Sequence, residues 1–148
     1  MRADHFWRDA SLRLEYGHTD EYSLRHDWLD VAALGRELLD PLGTDAAGPF
    51  VTSLRDPVTN RSTRAPVQYA DPGTVLLLSG QFLLGHDLPF EKVIRLSASA
   101  ATVARSISPD LAWTLPVIAD YEAEVDPAQL ADIEIRRNDP RHPAIRIR

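Results

Sequence analysis

Cysteine is absent from the chain. That excludes disulfides, thiolate zinc sites, iron–sulfur ligation and a cysteine nucleophile. Positive charge is scarce: 16 Lys+Arg stand against 22 Asp+Glu, a net charge of −6. An acidic balance argues against non-specific binding to nucleic acid or to an anionic membrane, since both need clustered cations. Long apolar runs are missing as well. Val75-Leu76-Leu77-Leu78 is far too short to span a bilayer. Met1-Arg2-Ala3-Asp4-His5 has no apolar core and does not read as a signal peptide. Internal repeats and low-complexity stretches are lacking too. A cytoplasmic location is the default expectation. What is present is ordinary: 148 residues, 44% hydrophobic and 26% charged. One domain spanning 1–148, burying roughly two-thirds of its unfolded surface, is expected.

The clearest periodic signal is Asp30 to Pro41. Asp30 can cap a helix, and Val31, Leu34, Leu38 and Leu39 fall on one face. Pro41 is expected to stop it, with Gly43 and Gly48 opening a loop. Tyr16 to Trp28 reads as loop plus short helix. Val51 to Tyr69 reads as a hairpin, with turn residues at Asp56-Pro57-Val58-Thr59-Asn60. Thr74 to Ser79 is apolar on both faces, as a buried parallel strand should be. Lys92–Leu96 and Asp132–Arg137 are further strand candidates, and Ala144–Arg148 could be another. Ser97 or Ser99 can cap a helix running to Ser106. Asp110 to Val125 reads as a helix broken at Pro116, and Asp126-Pro127 opens a short one. Strands alternating with helices imply an α/β fold with a mainly parallel sheet.

Several of these segments resemble one family. Asp4-x-Phe6-Trp7-Arg8 is similar to the D-x-F-[YW] segment of uridine kinases and related P-loop nucleoside kinases. The run from Thr52 to Pro66 (TSLRDPVTNRSTRAP) resembles one that recurs in actinobacterial uridine kinase-like proteins. Pro72–Leu77, Phe82–Leu84, Leu88–Phe90, Ala112–Pro116 and Asn138–Pro143 extend the likeness over almost the whole chain. The resemblance implies a three-layer remnant of the P-loop kinase fold, with Thr74–Ser79, Lys92–Leu96 and Asp132–Arg137 in one parallel sheet and the hairpin projecting from it.

Departures from the family pattern carry as much weight. No G-x-x-x-x-G-K-[ST] loop occurs in the sequence, and Ser79 stands where the family places a carboxylate that helps organise Mg²⁺. Without phosphate cradle or metal carboxylate, phosphoryl transfer loses the electrostatic stabilisation on which it depends. A first strand and P-loop are expected to be missing, which leaves a strand edge to be re-paired or closed by homodimerisation. No cofactor and no metal are implied. His18, His26, Asp20 and Asp27 share a polar stretch without tight ligand spacing.

By resemblance, the surviving residues belong to the acceptor side of a kinase. Asp4 would be the base for the acceptor hydroxyl, and His5 beside it can give or take a proton near neutral pH. Trp7 and Arg8 follow. Tyr16, Tyr69 and the hairpin residues Arg55, Arg61 and Arg64 would orient substrate, and Arg105 sits where lid arginines approach phosphate. The leading expectation is an ATP-independent enzyme that uses the former acceptor pocket on a small organic molecule. It would act by acid–base catalysis or substrate shaping, in a specialised biosynthetic pathway. The alternatives are a nucleoside kinase-like phosphotransferase completed by another segment or chain, and a non-catalytic binding remnant.

Overall fold

The computed structural model describes residues 1–43 and 48–148. The chain forms two compact units, Met1–Pro89 and Phe90–Arg148.

The first unit is short on regular structure. A 3₁₀ turn at Ala3–Phe6 leads to α1 (Ala10–Arg13), α2 (Glu21–His26) and α3 (Val31–Leu34). Each helix begins on an aspartate whose carboxylate accepts from a backbone N–H of the first turn: Asp9 from Ser11, Asp20 from Ser23, Asp30 from Ala33. Such caps satisfy donors that have no partner inside the helix. α3 continues through a π turn at Gly35–Leu39 into a 3₁₀ turn at Asp40–Leu42. Pro41 therefore does not stop the helix. It occupies the first positions of that last turn, where its missing N–H costs nothing. Of the expected apolar stripe, Leu34, Leu38 and Leu39 are buried and Val31 is half-buried; Ala3, Phe6, Ala33 and Phe50 are buried with them.

Val51 to Tyr69 forms an antiparallel excursion. Phe50 and Gln68 exchange backbone hydrogen bonds at 2.9 and 2.8 Å, and Arg55 bridges Ser62. Its tip turns at Asp56, whose carboxylate accepts from the N–H groups of Val58 and Thr59, and at Asn60 with φ +56°. Asparagine tolerates that left-handed conformation better than most residues.

The second unit is mixed α/β around a small, open three-stranded sheet. β1 (Ile94–Ser97), β2 (Ile133–Arg136) and β3 (Ala144–Ile147) lie in that order. Between β1 and β2 run α4 (Ala100–Ser106), a 3₁₀ stretch (Pro109–Thr114), α5 (Leu115–Val125) and α6 (Pro127–Leu130). Ser99 caps α4. The break expected at Pro116 falls where the 3₁₀ stretch gives way to α5, with Pro116 in the first turn of α5. Asp126, with φ +45°, makes the sharp joint to α6.

Two expectations need correction. Thr74–Ser79 is not a strand of this sheet. Among the described residues, its only ladder contact is a parallel bridge between Ser79 and Arg2, with Ala3 N–H donating to the Ser79 carbonyl at 2.8 Å and Ser79 N–H to the Met1 carbonyl at 2.9 Å. Val75 and Leu77 are exposed. A continuous apolar run stays a strand only when both faces are covered, and here one side faces solvent. Nor is the sheet mainly parallel: β1–β2 is parallel and β2–β3 antiparallel. Only a short turn through Asn138–Pro143 joins β2 to β3, too short for the crossover that a parallel neighbour requires. Among the described residues, no helix is long and apolar enough to cross a membrane.

Candidate functional site

The site is built where the 3₁₀ turn, α1 and the base of the hairpin meet. Phe6 is fully buried and anchors the turn. Trp7 then pairs with Leu29 in an antiparallel bridge, and the Arg8 N–H donates to the Trp28 carbonyl at 2.8 Å. From the other side, the His5 carbonyl receives the N–H groups of Leu54 and Arg55 at 3.1 and 3.0 Å. These backbone bonds bring two sequence-distant stretches against one another. Between them lies an open cleft of about 470 Å³, lined by Trp7, Arg8, Asp9, Leu12, Asp30, Leu54 and Arg55. That volume falls within the range of small-molecule sites.

Arg55 is held from two directions. One Nη donates to the Asn60 carbonyl at 2.8 Å and lies 2.9 Å from the Asp9 carboxylate. Asn60 in turn accepts from the Ala10 N–H at 3.0 Å, tying the hairpin tip to α1. Asp9 is kept below the usual carboxylate range, first by the Ser11 N–H and hydroxyl and then by the Arg55 charge. Arg8 faces Asp27 at 3.6 Å.

Behind the cleft wall sits Arg13, 5% exposed. Its guanidinium lies 4.9 Å from the Trp7 ring centre and 4.8 Å from that of Trp28, and the two indoles meet edge to face at 5.1 Å. Its Nε donates to the Arg8 carbonyl at 2.9 Å. Burial, and then the nearby Arg55 charge, pull its pKa below the usual arginine value. Cation–π contacts hold such a desolvated cation, and they fix the Trp7 ring in the cleft wall. Arg13 was not singled out from sequence. No periodicity marks an arginine that is buried between aromatics. Asp9, Leu12, Asp30 and Leu54 were also missed as lining residues, although Asp30 was legible as a cap.

Of the residues expected in a site, the structure brings Trp7, Arg8 and Arg55 to one cleft. Asp4 and His5 lie in the preceding 3₁₀ turn and do not line it. One Asp4 oxygen pairs with Arg2; the other, Oδ1, is buried with no hydrogen-bond partner among the described residues. Tyr16 and Tyr69 are exposed, at 71% and 72%. Arg61 and Arg64 are exposed on the hairpin. Arg105 belongs to α4 in the second unit, where it donates to Thr102 at 3.2 Å. Among the described residues, no three His, Asp or Glu side chains gather in a way that could hold a metal ion.

Chemically, the cleft offers an indole, two guanidinium groups and two carboxylates. Asp9 and Asp30 are already engaged as helix caps. It is equipped to hold a small polar molecule by stacking and charge-assisted hydrogen bonds. No protein-family model, curated protein or solved structure matches the chain.

Proposed function

We propose that the chain is an ATP-independent enzyme on a uridine kinase-like scaffold, which binds a small organic substrate in the Trp7–Arg55 cleft. One observation carries this reading: three residues chosen from sequence, Trp7, Arg8 and Arg55, line the same cleft. Asp4 and His5 are the proton-transfer pair in this reading. The unpartnered buried Oδ1 of Asp4 supports it, because a polar atom left unsatisfied in a native fold calls for a reason. Substrate would reach that turn from the adjoining cleft.

Thermal-shift titration with uridine, uridine monophosphate and simple carboxylates tests the binding step. A ligand that stabilises the native chain and leaves Arg55→Ala unmoved is the expected result. No response to any of them, or an equal response of the variant, removes the cleft from the proposal. A second reading is a nucleoside kinase-like phosphotransferase completed by another segment or by a partner chain. The exposed Val75 and Leu77 favour it, since a further packed segment would cover them. ATP-dependent phosphorylation of uridine would overturn the first reading and favour this one.

A further inference from the structure

The sheet of the second unit has its faces reversed. Register places Ile94, Ile133 and Ile147 in one cross-strand row, and Leu96, Ile135 and Ile145 in the next. Side chains two apart on a strand share a face, so these six form one continuous apolar surface. The alternate positions, Arg95, Ser97, Glu134 and Arg146, form the other face. That charged face is the covered one. Arg95 pairs with Glu122 of α5 and, at 2.5 Å, with Glu134, which is itself buried. Arg146 donates to the Ala128 carbonyl of α6 at 3.0 Å. The apolar face is open: Ile94, Leu96, Ile145 and Ile147 are 56%, 65%, 63% and 73% exposed.

We propose that this face is the interface of a homodimer, in which two copies stack sheet on sheet through Ile94, Leu96, Ile133, Ile135, Ile145 and Ile147. Three arguments select a second copy. The first is area. The six side chains expose on the order of 500 Å² per copy, at the upper end of what a monomer leaves in water. Two such faces bury roughly 1,000 Å² together, the lower limit for a specific interface. The interface is therefore at the small end of specific ones. The second is shape. A face of β-branched and leucine side chains can stack on its own copy about a two-fold axis, as aligned sheets do about 10 Å apart. The third is charge. Phe90–Arg148 carries nine acidic and eight basic side chains, so little repulsion opposes pairing through this unit, whereas most of the net −6 lies in residues 1–89.

Sedimentation velocity from about 1 to 200 μM tests the proposal on the full chain. A monomer–dimer equilibrium is expected, abolished by Ile145→Lys. A monomer throughout, a dimer unaffected by the substitution, or open-ended association overturns it. Should Ile145→Lys unfold, Ile145→Cys keeps the question decidable, because the chain has no other cysteine. Oxidation should link Ile145→Cys into a dimer far faster than Tyr16→Cys, an exposed position outside the sheet. Equal rates for the two variants would refute the interface.

Discussion

The backbone carbonyl of His5 accepts hydrogen bonds from the N–H groups of both Leu54 and Arg55, at 3.1 and 3.0 Å. The guanidinium that lines the cleft is thus placed by a residue whose own side chain does not line it. Backbone and imidazole roles at His5 are therefore separable. His5→Ala retains the carbonyl and should leave stability within about 1 kcal/mol of the native chain, as surface substitutions generally do. Under the proposed acid–base role, Asp4→Asn and His5→Ala each lower turnover of the cleft's substrate by about 10²–10⁴-fold. Full turnover by both variants would leave catalysis to the shape of the cleft. A large loss of stability in His5→Ala would show that the imidazole is structural.

Gly80 is the second sensitive point of the first unit. A Cβ there would lie 2.6 Å from the Ala3 Cβ and 3.1 Å from a Leu83 methyl. Ala3 is buried and tied by backbone to Ser79, so neither side can give way cheaply. Gly80→Ala should cost roughly 1–3 kcal/mol through overpacking. Denaturant unfolding measures this directly, and a neutral outcome would mean that the Met1–Ala3 and Leu77–Ser79 segments separate easily.

Arg13 joins the cleft wall to the unit's interior. Arg13→Ala removes two cation–π contacts and the hydrogen bond to the Arg8 carbonyl, a loss of about 2–4 kcal/mol. Arg13→Met fills the slot between the indoles and should cost less. Two of the three tryptophans flank the position, so intrinsic fluorescence reports on it. A red-shifted emission in Arg13→Ala, smaller in Arg13→Met, is expected. Unchanged emission in both would deny Arg13 its part in holding the rings.

Acid should loosen the second unit. Glu134 is held below its ordinary pKa by the Ser97 hydroxyl, against the opposing effect of burial, and then by Arg95 and Arg146. Asp132 is held low by Lys92 and the Val93 N–H. A carboxylate whose folded pKa lies below its unfolded value stabilises fully above the unfolded value, roughly pH 4–4.5. That stability is lost as pH falls through the lower folded values. Unfolding monitored from pH 7 to pH 2 should therefore show a decline confined to the region below about pH 4.5, and Glu134→Gln should flatten it. A decline centred near pH 6 would point to histidine instead.

Local signals were legible where chemistry is local. Asp30 and Ser99 cap the helices they were expected to cap, and Leu34, Leu38 and Leu39 face inward. The α/β class followed from alternation. Thr74–Ser79 was misjudged because hydrophobicity states what a strand could bury, and partners decide whether it does. The break expected at Pro116 is present as the joint between the 3₁₀ stretch and α5, because proline suits a helix's first turn and not its interior. Of the cleft's lining, Trp7, Arg8 and Arg55 were among the residues named from the sequence. Arg13 was not, because its place depends on two tryptophans that approach only in three dimensions.

The reversal of the sheet bears on how the chain finds its alignment. A slip of β2 by one residue would turn Ile133 and Ile135 under the helices and put Glu134 in water, an exchange that apolar burial alone would favour. The slip would also strand Arg95 and Arg146 without their shared carboxylate, Arg95 with most of its side chain out of water. The Arg95–Glu134–Arg146 cluster thus acts as an alignment key. It sets the strand in an orientation that hydrophobicity would not choose, and so keeps the isoleucines on the outside.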